Sequence, residues 1–255
     1  MEKYIYRYIN LETFIDMLLN QRLVFVHPTK WEDPMELDAY NKVLKHRSLD
    51  KNSALTVAYF AAKNKTYCQS WTELSESDAM WRIYSYDNKS IQIRVKLSSI
   101  RQLPISVNKV VYTDSIEEYI KTIPNEKMDQ LFAIKRNAYK HEKEIRLVSR
   151  YLYKGSEDLE KHVIAAYKVS DSKWIQNKTE AEWKIELDEC IKLLNADLGV
   201  LTKIIDFSMI SDFIDSVVIH PQAQNWYVNI VGQLCNIHNI KYKGKSKLYE
   251  IADDL

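Results

Sequence analysis

Between Tyr4 and Ile9 aromatic and aliphatic residues alternate, the period-two pattern of a strand, with Arg7 near its end. The spacing then changes. Leu11, Phe14, Ile15, Leu18 and Leu19 recur every three or four residues, which predicts a helix capped by Asn10 and closed at Gln21-Arg22. Residues 23–26 form a second short strand, stopped at His27-Pro28, and 31–36 is a turn in which Pro34 fixes φ. A helical texture runs over 37–65 with a charged break at 45–52. Residues 66–70 read as a strand whose alternate positions Cys68 and Ser70 face one way. Residues 75–78 cap a short helix through Met80, Trp81 and Tyr84. Strands are expected at 90–95 and 107–112, and helices at 115–123 and 127–134. An amphipathic pattern over 179–210, marked by Trp183, Leu187, Leu194 and Ile205, predicts two helices split near Leu198-Gly199. A buried strand at 213–219, an apolar helix at Asn225–Ile237 and a last strand at 240–242 complete the pattern. No repeat and no Pro/Ser linker interrupts it, so the expectation is one α+β domain over 1–255 with helical insertions at about 38–65 and 154–212.

Composition narrows the classes. An apolar share of 46% in 255 residues is ample for a core. Lys and Arg number 36 against 35 Asp and Glu, a net charge of +1, so nucleic acid or anionic lipid could be bound only through a local patch. No apolar run is long enough to span a bilayer, and the first ten residues lack the basic and apolar regions of a signal peptide. A cytoplasmic protein without a membrane partner is expected. Cys68, Cys190 and Cys235 are widely spaced and odd in number, which argues against a disulfide framework or a structural zinc site. With only 4 glycines, none of the glycine-rich phosphate cradles can be written, so a nucleotide would be held by side chains and aromatic stacking.

The candidate chemistry centres on 135–149. As a strand, this segment puts Glu142, Glu144 and Arg146 on one face and Lys143, Ile145 and Leu147 on the other. Two carboxylates aimed at one space need a cation, a proton or a developing positive charge between them. The alternative is a helix whose glutamates are solvated and neutralised by Lys140, Lys143 and Arg146. Arg7 can hold an anion or pair with a surface carboxylate, and Ser70 can line a site or cap a turn. Trp81 and Tyr84 share a helical face, as stacking platform or as core. Glu32, Asp33, Glu36 and Asp38 around Pro34 suit turn and helix N-terminal roles better than a cation site. The histidines show no metal-binding spacing, and no metal is expected. Lys241, Lys243, Lys245 and Lys247 make a basic tail that fits a protected edge strand or a nucleic-acid contact.

The start YRYINLETFIDMLLNQRLVF, the turn WEDPMEL, the strand YCQSW, the helix MWRIYS followed by IQIRV, the segment KHEKEIRLV and the tail VVIHP to KSKLY together resemble an uncharacterised bacterial domain family. That family's layout in turn is similar to the ADP-ribosyltransferase fold. The resemblance implies mixed sheets with helical insertions and an enzyme that cleaves nicotinamide-adenine dinucleotide (NAD) as substrate, passing ADP-ribose to a macromolecular acceptor, protein or nucleic acid. It implies that Arg7 and its neighbour Tyr6 on the first strand hold the dinucleotide, that Ser70 supports the site, and that Glu142-x-Glu144 supplies the catalytic carboxylates. Glu144 would stabilise the oxocarbenium-like charge, Glu142 would orient or deprotonate the acceptor, and Trp81 or Tyr84 would stack on the nicotinamide. A toxin or anti-phage role, with an inhibitory partner protein, belongs to the same resemblance. Two rival readings are a non-catalytic nucleotide-sensing or partner-binding module of this fold, and a metal-dependent nuclease built on Asp33, Glu36, Glu142 and Glu144.

Overall fold

A computed structural model describes residues 2–38, 66–85, 87–123, 125–150 and 202–250, with isolated positions 42, 179, 181, 182 and 185. The alternating N-terminal segment forms β1 (Tyr4–Ile9), followed by α1 (Leu11–Asn20), whose first turn is closed by Thr13 N donating to Asn10 Oδ1 at 2.9 Å. β1 pairs antiparallel with β4 (Ile91–Lys96) along its whole length, Tyr4 opposite Lys96 and Ile9 opposite Ile91. Beyond β4 lie β10 (Ser216–Ile219), antiparallel, and then β11 (Tyr242–Lys245), parallel, at the edge.

The other half of this nine-stranded sheet is built on β3 (Thr66–Thr72), which pairs along its full length with β8 (Glu144–Arg150), with β5 (Ser106–Lys109) outside it. The opposite edge of β3 meets β1 at Tyr6 and Thr72, and meets β2 (Arg22–Val26) at Val26 and Cys68. β1 and β2 therefore fork apart along one strand, and a cleft opens at the fork.

One face of the sheet carries the main core. Ile5 and Ile9 of β1, Ile93 of β4, Trp71 of β3 and Leu147 of β8 pack with Phe14 and Leu18 of α1 and Tyr227 and Val231 of α5 (Asn225–Ile237). Each such fully buried side chain contributes about 1.5–3 kcal/mol, so this face alone can fix the strands and leave the alternate positions for polar groups. On the second face, Cys68 and Val148 form a smaller core with Ile116 and Ile120 of α4 (Ile116–Thr122). Tyr8 packs there with Met80 and Trp81 of α2 (Asp78–Tyr84), which is capped by Ser77.

Several expected elements differ. Thr202–Asp206 is not helical but forms β9, paired antiparallel with β2 from Arg22–Asp206 to Val26–Thr202. The adjacent Ile204 and Ile205 fit a helix stripe and a strand equally, and the open edge of β2 decides between them. Residues 125–132 are a 3-10 helix rather than an α-helix, ending in β7 (Ile134–Lys135). The expected strand at 107–112 is two strands. After β5 the buried Val110 donates its N–H to Glu144 O at 3.0 Å, and β6 (Val111–Tyr112) then pairs with β7 instead. The helical readings of 37–65 and 154–201 lie mostly outside the described residues. Among the described residues no helix is long and apolar enough to cross a membrane.

Candidate active site

The fork brings three distant parts of the sequence to one cleft of about 180 Å³, whose walls include Arg7 from β1, Ser70 from β3, and Glu144 at the start of β8, with Tyr6, Tyr84 and Glu142. A second lobe of about 450 Å³ shares Ser70, Tyr84 and Glu142 with the first and adds Glu36 and Lys135. That lobe alone lies within the range of about 300–1,000 Å³ typical of small-molecule sites.

The two glutamates reach this space differently from the expected continuous strand. Glu142 ends a 3-10 turn (Asn137–Glu142), and Lys143 adopts the left-handed conformation at φ 42° before β8 begins at Glu144. The kink, rather than strand alternation, brings the carboxylates together. The cation between them is internal: Lys135 Nζ lies 2.7 Å from Glu142 Oε2, 2.8 Å from Glu144 Oε2 and 3.4 Å from Glu36 Oε1. Arg146 closes the cluster from the next position on the same face of β8. Its Nε and one terminal nitrogen both donate to Glu144 Oε1, at 2.8 and 2.6 Å, and its other terminal nitrogen donates to the Phe132 carbonyl at 2.9 Å. The guanidinium also approaches Glu36 Oε2 at 2.7 Å and stacks 4.2 Å over the Trp31 ring.

Glu144 is 4% exposed. Burial alone would raise its pKa, but Arg146, Lys135 and the Ser70 hydroxyl hold it below the usual carboxylate range. Its Oε2 is buried and lies 2.8 Å from the Lys135 ammonium, so both oxygens of the carboxylate face cations of the fold. Glu36 behaves oppositely. Burial raises its pKa, the nearby Glu144 charge adds to that, and Arg146 and Lys135 do not fully compensate.

Across the cleft, Arg7 makes no hydrogen bond or ion pair among the described residues. Burial lowers its pKa to about 10, with the Tyr84 hydroxyl opposing, so at neutral pH it remains a desolvated, uncompensated cation. Tyr84 stands between the two charges. Burial, Glu142 and Glu144 raise its pKa, while Lys135 and Arg7 pull the other way. Its ring stacks on Tyr8 at 6.2 Å and 23°, and it is 43% exposed, free to meet a ligand face.

Trp81 is not in the cleft. It is fully buried, edge-on to Tyr8 at 4.7 Å, with Nε1 donating to Glu76 Oε2 at 3.2 Å, so it props the Tyr8–Tyr84 pair rather than stacking on a ligand. Cys68, beside Ser70, is buried with its thiol pKa pushed well up by burial, which removes it as a nucleophile.

No protein-family model, no curated protein and no solved structure matches this chain. The chemistry of the cleft must therefore carry its reading. Among the described residues no group of three or more His, Cys, Asp or Glu is arranged to hold a metal ion. Glu36, Glu142 and Glu144 do converge, but on Lys135 and Arg146, while Asp33 pairs with Arg136 at 2.9 Å. The cations fill the charge a metal would neutralise. Lys135 and Arg146 were not among the expected site residues, and Glu36 was expected only as a metal ligand in the nuclease reading. Arg146 was visible in the pattern, two positions after Glu144 on the same face; Lys135 carried no such signal, because its meeting with Glu36 depends on how the turn at 31–36 docks.

Proposed function

We propose that the cleft binds NAD and transfers its ADP-ribose to a macromolecular acceptor. The observation that supports this is the opposition, in one cleft, of a desolvated cation, Arg7, with no ion pair among the described residues, and a buried carboxylate, Glu144, held ionised by Arg146 and Lys135. In this reading Arg7 pairs with a phosphate oxygen of the dinucleotide and Tyr84 stacks on the nicotinamide. Tyr6 lines the cleft beside Arg7.

The bond between ribose C1′ and the nicotinamide nitrogen breaks with its electron pair going to the nitrogen, so nicotinamide leaves neutral. Positive charge develops at C1′ and the ring oxygen, and Glu144 stabilises it electrostatically while accepting a ribose hydroxyl. An acceptor lone pair then bonds to C1′, and the acceptor proton passes to Glu142, whose Oε2 is held by Lys135 and whose Oε1 is left for it. Lys135 and Arg146 position the carboxylates and do not touch substrate. A cytoplasmic toxin or anti-phage effector role rests on the motif resemblance alone.

The test is nicotinamide release from NAD in the presence of protein, RNA and DNA acceptors. Wild type should release it with at least one acceptor, and Glu144→Gln should lower the rate by about 10²–10³-fold. Equal release by Glu144→Gln, or none by wild type with any acceptor, overturns the reading. A second reading is favoured by one observation: Glu144 Oε1 takes both Arg146 donors, as in a structural ion-pair network. A non-catalytic nucleotide-binding module would bind NAD with an affinity indifferent to Glu144→Gln and lost in Arg7→Ala.

A further inference from the structure

A separate cleft of about 260 Å³ opens on the same face of the sheet, on the far side of Tyr6, which lines both. Its floor is made of the outward positions of β4 and β10, where Arg94 and Ser216 stand opposite each other in register. Its rim is β11 and the turn after it, contributing Lys243, Lys245 and Lys247. A bulge sets this rim: Val217 pairs with Tyr242 but Ile219 pairs with Lys245, and Gly244 takes up the extra residue at φ 78°, a conformation that favours glycine.

The charges do not balance. Glu76 is the sole carboxylate in the lining, and its Oε2 already accepts from Trp81 Nε1 and, at 2.8 Å, from Ser246 Oγ. Arg94 is anchored by Asp215 from below, with Nε 2.6 Å from Oδ2, and its guanidinium lies 4.3 Å over the Tyr4 ring. Lys243 and Lys245 make no ion pair among the described residues. Burial and then the Arg94 and Lys241 charges hold the Lys243 pKa below the usual lysine range, Asp215 opposing, so Lys243 is repelled by its neighbours in the absence of an anion. Ser216 on the floor is 1% exposed, and its hydroxyl faces the Asp215 carboxylate, where it and Arg94 hold that carboxyl below the usual range. The carboxylate beneath the cleft is therefore engaged by the floor itself and leaves Lys243 and Lys245 above it without a counter-charge among the described residues.

We infer that this cleft is a phosphate-binding site, in which Lys243, Lys245 and Lys247 hold the oxygens of a nucleotide phosphate whose other end reaches the first cleft past Tyr6. Donors arriving from several directions suit tetrahedral phosphate, whereas a carboxylate is matched by a single planar fork. The phosphate belongs either to the dinucleotide or to a nucleotide acceptor. Its assignment to a substrate rests on the NAD reading; the anion site itself does not.

Binding is measured by calorimetry on the full chain, in the Glu144→Gln background so that no turnover intervenes, with pyrophosphate, NAD and a four-nucleotide oligonucleotide as probes. Reversing Lys243→Glu and Lys245→Glu together should weaken at least one probe tenfold or more and flatten its salt dependence. The Lys243→Arg, Lys245→Arg pair should retain it, and unchanged thermal unfolding of the reversed variant shows that the fold is intact. Oligonucleotide binding that survives saturating NAD assigns the phosphate to the acceptor, and competition assigns it to the dinucleotide. If no probe loses tenfold on charge reversal, or none binds, the phosphate site is wrong, whatever nicotinamide release by the wild type shows.

Discussion

At the scale of single residues, the cleft contrasts a cation with no partner among the described residues and a cation with three. Arg7 sits desolvated, with its pKa lowered to about 10 and no anion beside it among the described residues, so below that pH the fold bears a cost that an anionic ligand would relieve. Lys135 instead has its pKa raised, because the charges of Glu144 and Glu36 and the hydrogen bonds it donates to Glu142 and Glu144 outweigh its burial. Function and stability should therefore part company at Arg7. Replacing it by Met, which keeps the apolar stem and removes the charge, is expected to raise stability at neutral pH by about 1–3 kcal/mol and to abolish NAD binding. Thermal unfolding and calorimetry of Arg7→Met check both halves. A variant that melts lower and still binds NAD would show that Arg7 has a partner in the folded chain.

At the scale of elements, the left-handed Lys143 does what strand alternation was expected to do. Its kink ends the 3-10 turn, lets Glu73 N donate to Lys143 O at 3.1 Å, and swings Glu142 onto Lys135. A left-handed residue with a Cβ costs roughly 1–2 kcal/mol, which glycine avoids and a β-branched residue worsens. Lys143→Gly should fold at least as well as wild type and leave nicotinamide release unchanged. Lys143→Val should lose about 1–2 kcal/mol and slow release, as urea unfolding and the release assay would record. Equal behaviour of the two variants would mean that the kink does not set the site. The same segment explains what could be read in advance. β1, α1, α2 and α5 were legible because one periodicity dominated each, and the convergence of Glu142 and Glu144 was legible as an outcome. The mechanism was not, since nothing in KHEKE announces a positive φ at Lys143. β9 was hidden by paired isoleucines that fit two periods, and the break between β5 and β6 by a change of partner strand at Val110.

For the whole molecule, the fork of β1 and β2 along β3 determines which residues can meet, and the buried ionic cluster ties the turn at 31–36, β7 and β8 across it. Lys135 is the member on which three carboxylates depend. Lys135→Met should destabilise the chain at pH 7 by about 3–5 kcal/mol, since it strands buried like charges. The pH dependence of that loss follows from the signs. In the wild type Glu144 has a lowered pKa, so its contribution is present above its ordinary value of 4.5 and disappears as pH falls through the lower folded value. In Lys135→Met the pKa values of Glu36 and Glu144, both of which the lysine charge lowers, should move up. A carboxylate with a raised folded pKa is favourable below its unfolded value and becomes unfavourable as pH rises through the folded one. The gap between wild type and variant should therefore be widest at neutral pH and narrow as the pH approaches 4.5. Urea unfolding midpoints at pH 7, 6 and 5 measure it, and a gap that stays constant would show that Glu36 and Glu144 do not share the lysine.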